Sequence, residues 1–380
     1  MKPRALTTLA AIAATIVLSF GVVPAQAAPL RPLYPLEGLA VDPPPEVTAD
    51  AWILYDDTYG VVLASTNADE ERAMASTTKI MTAMVAFENS TPDQTVVVSQ
   101  RAADVGEAEV PLVVGEEIEI GALTTGLLVR SANDAAIAVA EGVAGSVEAF
   151  VDLMNAKAEE LGLQHTHFAN PHGLDQAGHY TSASDLLTMA LAAMELPEFS
   201  RAVGAHVYRF PADPTGEFRV VQNTNFLLWD YEGAIGVKTG YTFQAGRALV
   251  GAADRNGRRL YSVVLGSDGA SDHFSDTEAL LDYGFESFGV VPLIIEGETY
   301  GTQRSGDEVD PLLAAATAEA FVHIAGAGLL APQLELVDGQ PMLVSGDQQV
   351  ESAVAAESAD LPGVGDALGW FRQWIGGGNE

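Results

Sequence analysis

Ser76 and Lys79 stand three residues apart in Ala75-Ser76-Thr77-Thr78-Lys79, directly before the apolar run Ile80-Met81-Thr82-Ala83-Met84-Val85. At helical spacing the two side chains lie one above the other on one face, so a hydroxyl and an amine come within reach. Unpaired backbone N–H groups at a helix start favour developing negative charge there. The pair reads as a serine nucleophile with lysine as its proton acceptor. Two more short strings carry chemistry-bearing residues, Ser131-Ala132-Asn133 and Lys238-Thr239-Gly240, 55 and then 107 residues further on. Each string alone arises easily by chance. The three in this order, in a predicted helix start, inter-helix turn and strand, form a strong joint signal.

Lysine usage sharpens this. Outside residues 1–27 the only lysines are Lys79, Lys157 and Lys238, and every other cation is arginine. Arginine does not release its proton in a protein, whereas lysine does where its surroundings are arranged for it. Two of the three fall in the motifs. Lys157, in Asn155-Ala156-Lys157-Ala158-Glu159-Glu160, reads as an ordinary charged helix face. At an unperturbed pKa only roughly one lysine in 2,500 is neutral at pH 7, so a base at Lys79 needs a shift of about 3 units. Burial and a nearby second cation both act that way, and Lys238 is the available cation.

The elements that must position these groups follow from pattern. Residues 51–55 and 61–64 have the shape of a hairpin, 95–99 and 116–120 are short strand candidates, and helices are predicted over 122–130, 133–143 and 147–161, the last stopped by Gly162. Residues 163–183 form a long loop, after which Ser184 is expected to cap a helix through about Met194 with Asp185 in its first turn. Strand character returns at 237–238, 247–253 and 259–265, the last two joined by the turn Asp254-Arg255-Asn256-Gly257, and a helix is predicted over 272–285. Strands at both ends with helices between imply one sheet built from the two termini of a domain.

The flanks are of other kinds. Lys2 and Arg4, an apolar stretch over 9–23 and Ala25-Gln26-Ala27 make residues 1–27 a signal peptide, so the protein is expected to be secreted to the extracytoplasmic envelope. Residues 28–48, with six prolines, read as a linker, 49–289 as the catalytic domain, 290–350 as a small β-rich region and 351–380 as a tail. The apolar stretch 312–330 raises the question of a membrane span, but Glu319 and His323 near its centre favour a buried segment. The aromatic end, Trp370-Phe371-Arg372-Gln373-Trp374, allows at most a weak membrane contact.

The chain of 380 residues has a formal charge of −34 and no cysteine. Disulfides, thiolate nucleophiles and cysteine-based zinc sites are thereby excluded, and nucleic acid and anionic membrane are disfavoured as partners.

On these motifs the chain resembles the serine-type D-alanyl-D-alanine carboxypeptidases, the low-molecular-mass penicillin-binding proteins. The likeness covers roughly residues 50–288. It extends to Asn170-Pro171-His172-Gly173-Leu174-Asp175, to His179-Tyr180-Thr181-Ser182-Ala183-Ser184-Asp185-Leu186, to Gly236-Val237-Lys238-Thr239-Gly240-Tyr241-Thr242 and to Leu280-Leu281-Asp282-Tyr283-Gly284-Phe285. The resemblance implies an α+β fold of the penicilloyl-serine transferase or β-lactamase-like kind, with a central antiparallel sheet flanked by helices and often a β-rich domain after it. It implies an acyl-enzyme on Ser76 with Lys79 as base and no cofactor. Ser131 would relay a proton and Asn133 hold the substrate amide. Lys238, Thr239 and Gly240 would bind the terminal carboxylate, and the N–H groups of Ser76 and Tyr241 would form the oxyanion hole. The substrate is a peptidoglycan stem peptide ending in D-Ala-D-Ala, and β-lactams are covalent inhibitors. One departure stands out. Where the family commonly has a carboxylate-binding arginine, this chain reads Ser271-Asp272-His273-Phe274, with His273 the nearest candidate. A histidine is only partly charged at neutral pH, so an endopeptidase preference stays open.

Three other classes share parts of this pattern. A β-lactamase would need a deacylating glutamate, and Glu160-Leu161-Gly162-Leu163-Gln164 ends in the wrong amide. A metallopeptidase would use His165, His167, His172 and His179, but no H-E-x-x-H accompanies them. A non-catalytic penicillin- or peptidoglycan-binding protein would acylate without turnover.

Overall fold

The structure is a computed structural model. It describes residues 43–294 and the strand segments 31–32, 299–305, 308–313, 318–323, 333–337, 340–345 and 348–351. The predicted signal peptide, most of the linker and nearly all of the tail lie outside the described residues.

The central sheet joins Arg31–Pro32 (β1), Ala51–Asp56 (β2) and Val61–Thr66 (β3) to Ala234–Thr242 (β8), Gly246–Arg255 (β9) and Arg258–Ser267 (β10). Its order is β1-β3-β2-β10-β9-β8. β2 pairs antiparallel with β10, so the N-terminal hairpin and the C-terminal meander meet in one sheet, as the strand pattern predicts. Side-chain alternation divides the sheet between two cores. Ala51, Ile53, Ala248, Val250, Tyr261, Val263 and Leu265 belong to the larger cluster with the helices, while Trp52, Leu54, Leu249, Leu260 and Val264 belong to a second one with Leu280 and Leu281. Both faces are covered, which is why these strands read as continuous apolar runs.

The larger layer follows β3. A short 3-10 turn, Ala75–Thr78, leads into Lys79–Asn89 (α1), then Thr95–Val97 (β4), Gln100–Ala103 (α2) and Glu117–Glu119 (β5), β4 and β5 forming a two-stranded ribbon. Ile120–Val129 (α3), Asn133–Ala144 (α4) and Val147–Glu160 (α5) come next; α4 ends on Gly145 in the left-handed region at φ 79°. Ala183–Met194 (α6) and Pro197–Val203 (α7) close the layer.

Two sequence expectations need correction. Ser182, not Ser184, caps α6: its backbone is extended and its Oγ accepts from the Asp185 N–H at 3.2 Å. Asp185 is then free to accept from His165 N and Thr166 Oγ1, each at 2.7 Å, which ties the 163–183 loop to the helix start. The stretch between α7 and β8, for which no elements were predicted, contains the hairpin Val207–Ala212 (β6) and Phe218–Gln222 (β7) and the short helix Leu227–Asp230 (α8).

The helix Asp272–Ser287 (α9) packs on the other face of the sheet. Its C-terminal end is fastened by Arg258, which donates to Asp56 Oδ2 at 2.8 Å and to the carbonyls of Gly284 and Phe288 at 2.8 and 2.7 Å. Asp56 is fully buried, so a charged partner there is obligatory. After α9, Phe288–Ile294 (β11) pairs with Ala318–His323 (β14), and Thr299–Ser305 (β12) with Glu308–Leu313 (β13). Gln333–Val337 (β15), Gln340–Ser345 (β16) and Gln348–Glu351 (β17) make a three-stranded sheet. The apolar stretch 312–330 thus holds the end of β13 and all of β14. Among the described residues no helix is long and apolar enough to cross a membrane.

Candidate active site

The 3-10 turn that carries Ser76 is clamped from two sides. Ala75 takes a positive φ of 48°, uncommon for a residue with a Cβ. Gly173, from the 163–183 loop, lies so close that a Cβ there would sit 2.0 Å from the Ala75 carbonyl oxygen. On the other side Gly240 of β8 approaches the Ser76 nitrogen; a Cβ on it would lie 3.2 Å away. Only glycine lets loop and strand close on the turn from both directions. Thr82 Oγ1 donates to Pro171 O at 2.6 Å and so fixes the loop against α1.

The expected Ser76–Lys79 contact is formed, from a 3-10 turn into the first residue of α1. Lys79 Nζ is 2.9 Å from Ser76 Oγ, 2.8 Å from Asn133 Oδ1 and 2.5 Å from the His172 carbonyl oxygen. Among the described residues no carboxylate pairs with it, and it is fully buried. Burial, and next the charge of Lys238, hold its pKa well below the ordinary lysine value. A neutral amine has two N–H donors and one lone pair. Asn133 Oδ1 and His172 O only accept, so they take both N–H bonds, and the lone pair faces the Ser76 hydroxyl. The two carbonyls thereby fix the direction of the amine's lone pair.

Asn133 is committed at both ends, because its Nδ2 donates to Gly106 O at 3.1 Å. Its neighbour Asp134 accepts from Val110 N and Leu112 N at 3.1 Å and holds the loop before β5 beneath the site. Ser131, in the turn between α3 and α4, has φ 63°. Positive φ at Ala75, Glu107 and Ser131, all beside one cleft, is the clustering expected where geometry is imposed for function.

Lys238 is 1% exposed; its Nζ donates to Ser131 Oγ at 3.0 Å and to Thr239 O at 2.8 Å. Burial lowers its pKa to about 7. Register explains its direction: Lys238 lies opposite Val250 and so faces the helical layer, whereas Thr239 lies opposite Leu249 and faces the α9 side. Thr239 Oγ1 meets Thr224 Oγ1 at 2.7 Å.

Ser76, Ser131, Asn133, Thr239, Gly240 and Tyr241 line one cleft of about 770 Å³ that continues past His273. Tyr241 is 53% exposed at its rim. His273 is buried, and burial, then the charge of Arg247, press its pKa down to about 4. At neutral pH it is therefore uncharged and does not replace a missing arginine as a cation. Arg247, which sequence reasoning passed over, lines the same cleft. The signal for it was the register of a hairpin: counting back from the turn at 243–245 sets it across from Tyr241.

The loop histidines have local tasks. His179 Nδ1 accepts from Ala169 N at 3.0 Å, so its proton sits on Nε2, which donates to Thr78 Oγ1 at 2.8 Å under the Ser76 turn. His172 Nδ1 accepts from Leu174 N at 3.1 Å. Burial first, and then positive neighbours, lower the pKa of His179 to about 4 and of His172 to about 3, keeping both neutral. Glu160, weighed as a deacylating group, pairs with Lys157 at 3.0 Å at the end of α5.

Comparison with known proteins agrees with this geometry. A family model described as D-alanyl-D-alanine carboxypeptidase matches residues 39–269. The D-alanyl-D-alanine carboxypeptidase DacD of Escherichia coli is 37% identical over 274 residues, covering 69% of this chain and 69% of that protein. The crystal structure of the Streptomyces K15 DD-transpeptidase superposes with a TM-score of 0.61 at 33% identity, covering 64% of this chain and 99% of its own. That of the D-alanyl-D-alanine carboxypeptidase DacD from Francisella tularensis gives 0.65 at 26% identity, covering 82% and 94%.

Proposed function

The chain belongs to the D-alanyl-D-alanine carboxypeptidase family and is a serine-type carboxypeptidase acting on peptidoglycan, and we propose that Ser76 is its nucleophile. Ser76 Oγ attacks the carbonyl between the two terminal D-alanines of a stem peptide while its proton passes to the neutral amine of Lys79. The oxyanion is met by the backbone N–H groups of Ser76 and Tyr241. Ser131 Oγ, held 3.0 Å from Lys238, hands its proton to the departing nitrogen and takes in its place the one that the Lys79 ammonium has received from Ser76. The net result is transfer of the serine proton to the amine of the released D-alanine. Water then cleaves the ester and restores Ser76. Two of the three donors of the Lys238 ammonium are used within the protein, which leaves one for the substrate carboxylate beside Thr239. Asn133, instead of holding the substrate amide, orients Lys79.

The observation that carries this assignment is the two-carbonyl cradle of Lys79, which aims a buried amine at Ser76. β-Lactams, whose strained amide presents the same carbonyl, acylate the same oxygen. Residues 1–27 direct export, and residues 49–289 form the catalytic unit in the cell envelope. The test is D-alanine release from a pentapeptide ending in D-Ala-D-Ala. Wild type releases it, Ser76→Ala does not, and penicillin blocks it; activity surviving in Ser76→Ala would sink the assignment.

A further inference from the structure

The end of the cleft beside Thr239 holds a cation that, among the described residues, no carboxylate pairs with. Arg247 is the second residue of β9 and lies in register with Tyr241, one residue past Gly240. Its guanidinium carbon stands 4.2 Å from the centroid of the Tyr241 ring. Among the described residues no carboxylate lies within ion-pair distance of it and no hydrogen bond satisfies its side chain. In a chain with 52 acidic residues, a half-buried arginine left without a carboxylate is a charge reserved for something else. It faces the cleft that Ser76 opens into.

His273 supplies the second observation. It enters the same cleft from the first turn of α9, is only 4% exposed, and its Nδ1 has no hydrogen-bond partner. A buried polar nitrogen left unpaired is costly unless a ligand completes it. The face of β8 that bears Thr239 and Tyr241 is the one turned toward α9, so Thr239 Oγ1, Arg247 and His273 border one part of the cleft. Arg130, the other arginine that lines the cleft, is exposed and precedes Ser131 on the opposite, helical wall.

We propose that the guanidinium of Arg247, backed by His273 as an uncharged hydrogen-bond donor, receives the α-carboxylate of the residue that leaves. This rests on the carboxypeptidase reading. It puts the charge on β9, the strand next to the Lys-Thr-Gly strand, instead of on the segment before α9. The Tyr241 ring holds the guanidinium over its face, which leaves the planar fork for a bidentate grip on a carboxylate. His273 then completes the site without adding charge, since burial, and next the charge of Arg247, keep it neutral.

The test compares two substrates on the full-length enzyme, a diacetyl-lysyl-D-Ala-D-Ala peptide and its C-terminal carboxamide, and reads kcat/KM for each. Wild type is expected to prefer the free carboxylate by about 10- to 100-fold, the usual worth of a hydrogen bond to a charged group. Arg247→Gln removes most of that preference by raising KM for the acid, while the amide changes by less than about threefold. Arg247→Lys keeps part of the preference, because the charge remains without the planar fork. His273→Ala costs the acid about 3- to 10-fold and leaves the amide alone. The acid-to-amide ratio cancels any loss of correctly folded enzyme. A full preference retained in Arg247→Gln overturns the proposal. Release of neither product by wild type overturns the carboxypeptidase reading on which it rests, and that result is distinct from the first.

Discussion

The two ends of the cleft are built on opposite principles. At the Ser76 end the side chains around the hydroxyl are already engaged: Lys79 has three partners, Asn133 is bound at both termini of its amide, and the turn is gripped by Gly173 and Gly240. At the other end donors are left over: a third position on Lys238, the whole of Arg247 and the Nδ1 of His273. Chemistry at a serine requires an amine that is neutral and aimed beforehand, so nothing there is left to move. Recognition of a carboxylate requires charge and donors that stay unsatisfied until the substrate arrives. Lys157 shows what a lysine does when neither demand applies. It is paired with Glu88 at 2.9 Å and Glu160 at 3.0 Å, and those acidic partners raise its pKa.

Substitutions should therefore fail differently at the two ends. The largest loss is expected from Ser76→Ala and Lys79→Arg, each lowering kcat/KM for D-alanine release by about 10³-fold or more. Lys79→Arg puts a permanent charge where the wild type holds a neutral amine and so removes the only form that accepts a proton. Lys238→Ala follows, at about 10²-fold. Lys238→Arg separates charge from titration. With its pKa lowered to about 7, Lys238 loses its proton as the pH rises through that value, so kcat/KM of wild type should fall on the alkaline side near pH 7. A bound carboxylate favours the ammonium, so the corresponding limb of kcat should lie higher. Arg does not titrate there, and Lys238→Arg should lose the limb.

Smaller effects probe the clamp. Gly173→Ala places a Cβ 2.0 Å from the Ala75 oxygen at a φ of +94°, so the loop must retreat from the turn. A loss of about 2–4 kcal/mol in chemical denaturation is expected, together with a fall of about tenfold in kcat as His172 O leaves Lys79. Lys157→Ala is the control: its ion pairs are partly exposed, so stability should shift by less than about 1 kcal/mol and activity not at all.

The meeting of Ser76 with Lys79 and of Ser131 with Lys238 was legible in the sequence, as was the Lys-Thr-Gly strand, but the place of Arg247 beside them was not, for a physical reason. Ser76, Lys79, Ser131 and Lys238 announce themselves because side-chain type and spacing carry their chemistry, and the scarcity of lysine made each one conspicuous. The sheet was legible too, since its strands read as continuous apolar runs and its turns are short. The acceptors that orient Lys79 left no trace, because one is the backbone carbonyl of His172 and any residue has a carbonyl. That Asn133 also holds Lys79 left no trace, because an amide in a sequence gives no sign of which partners occupy it. His273 was weighed as a cation from its place in the chain alone; its burial and the charge of Arg247 come from α9 packing on the sheet, which no local pattern reports. The cap of α6 was missed by two residues because Ser182 and Ser184 offer the same hydroxyl, and only the extended backbone at 182 decides.

The central claim is that Lys79 is a neutral base in the resting enzyme because Lys238 and burial make it so. The most direct measurement is the second-order rate of Ser76 acylation by benzylpenicillin between pH 5.5 and 10, followed by intact mass. A neutral Lys79 predicts rapid acylation at pH 6–7, carried by Ser76 alone, with a decline rather than a rise toward high pH as Lys238 discharges. A rate that climbs tenfold per pH unit up to about pH 10, as an ordinary lysine base would give, contradicts the account.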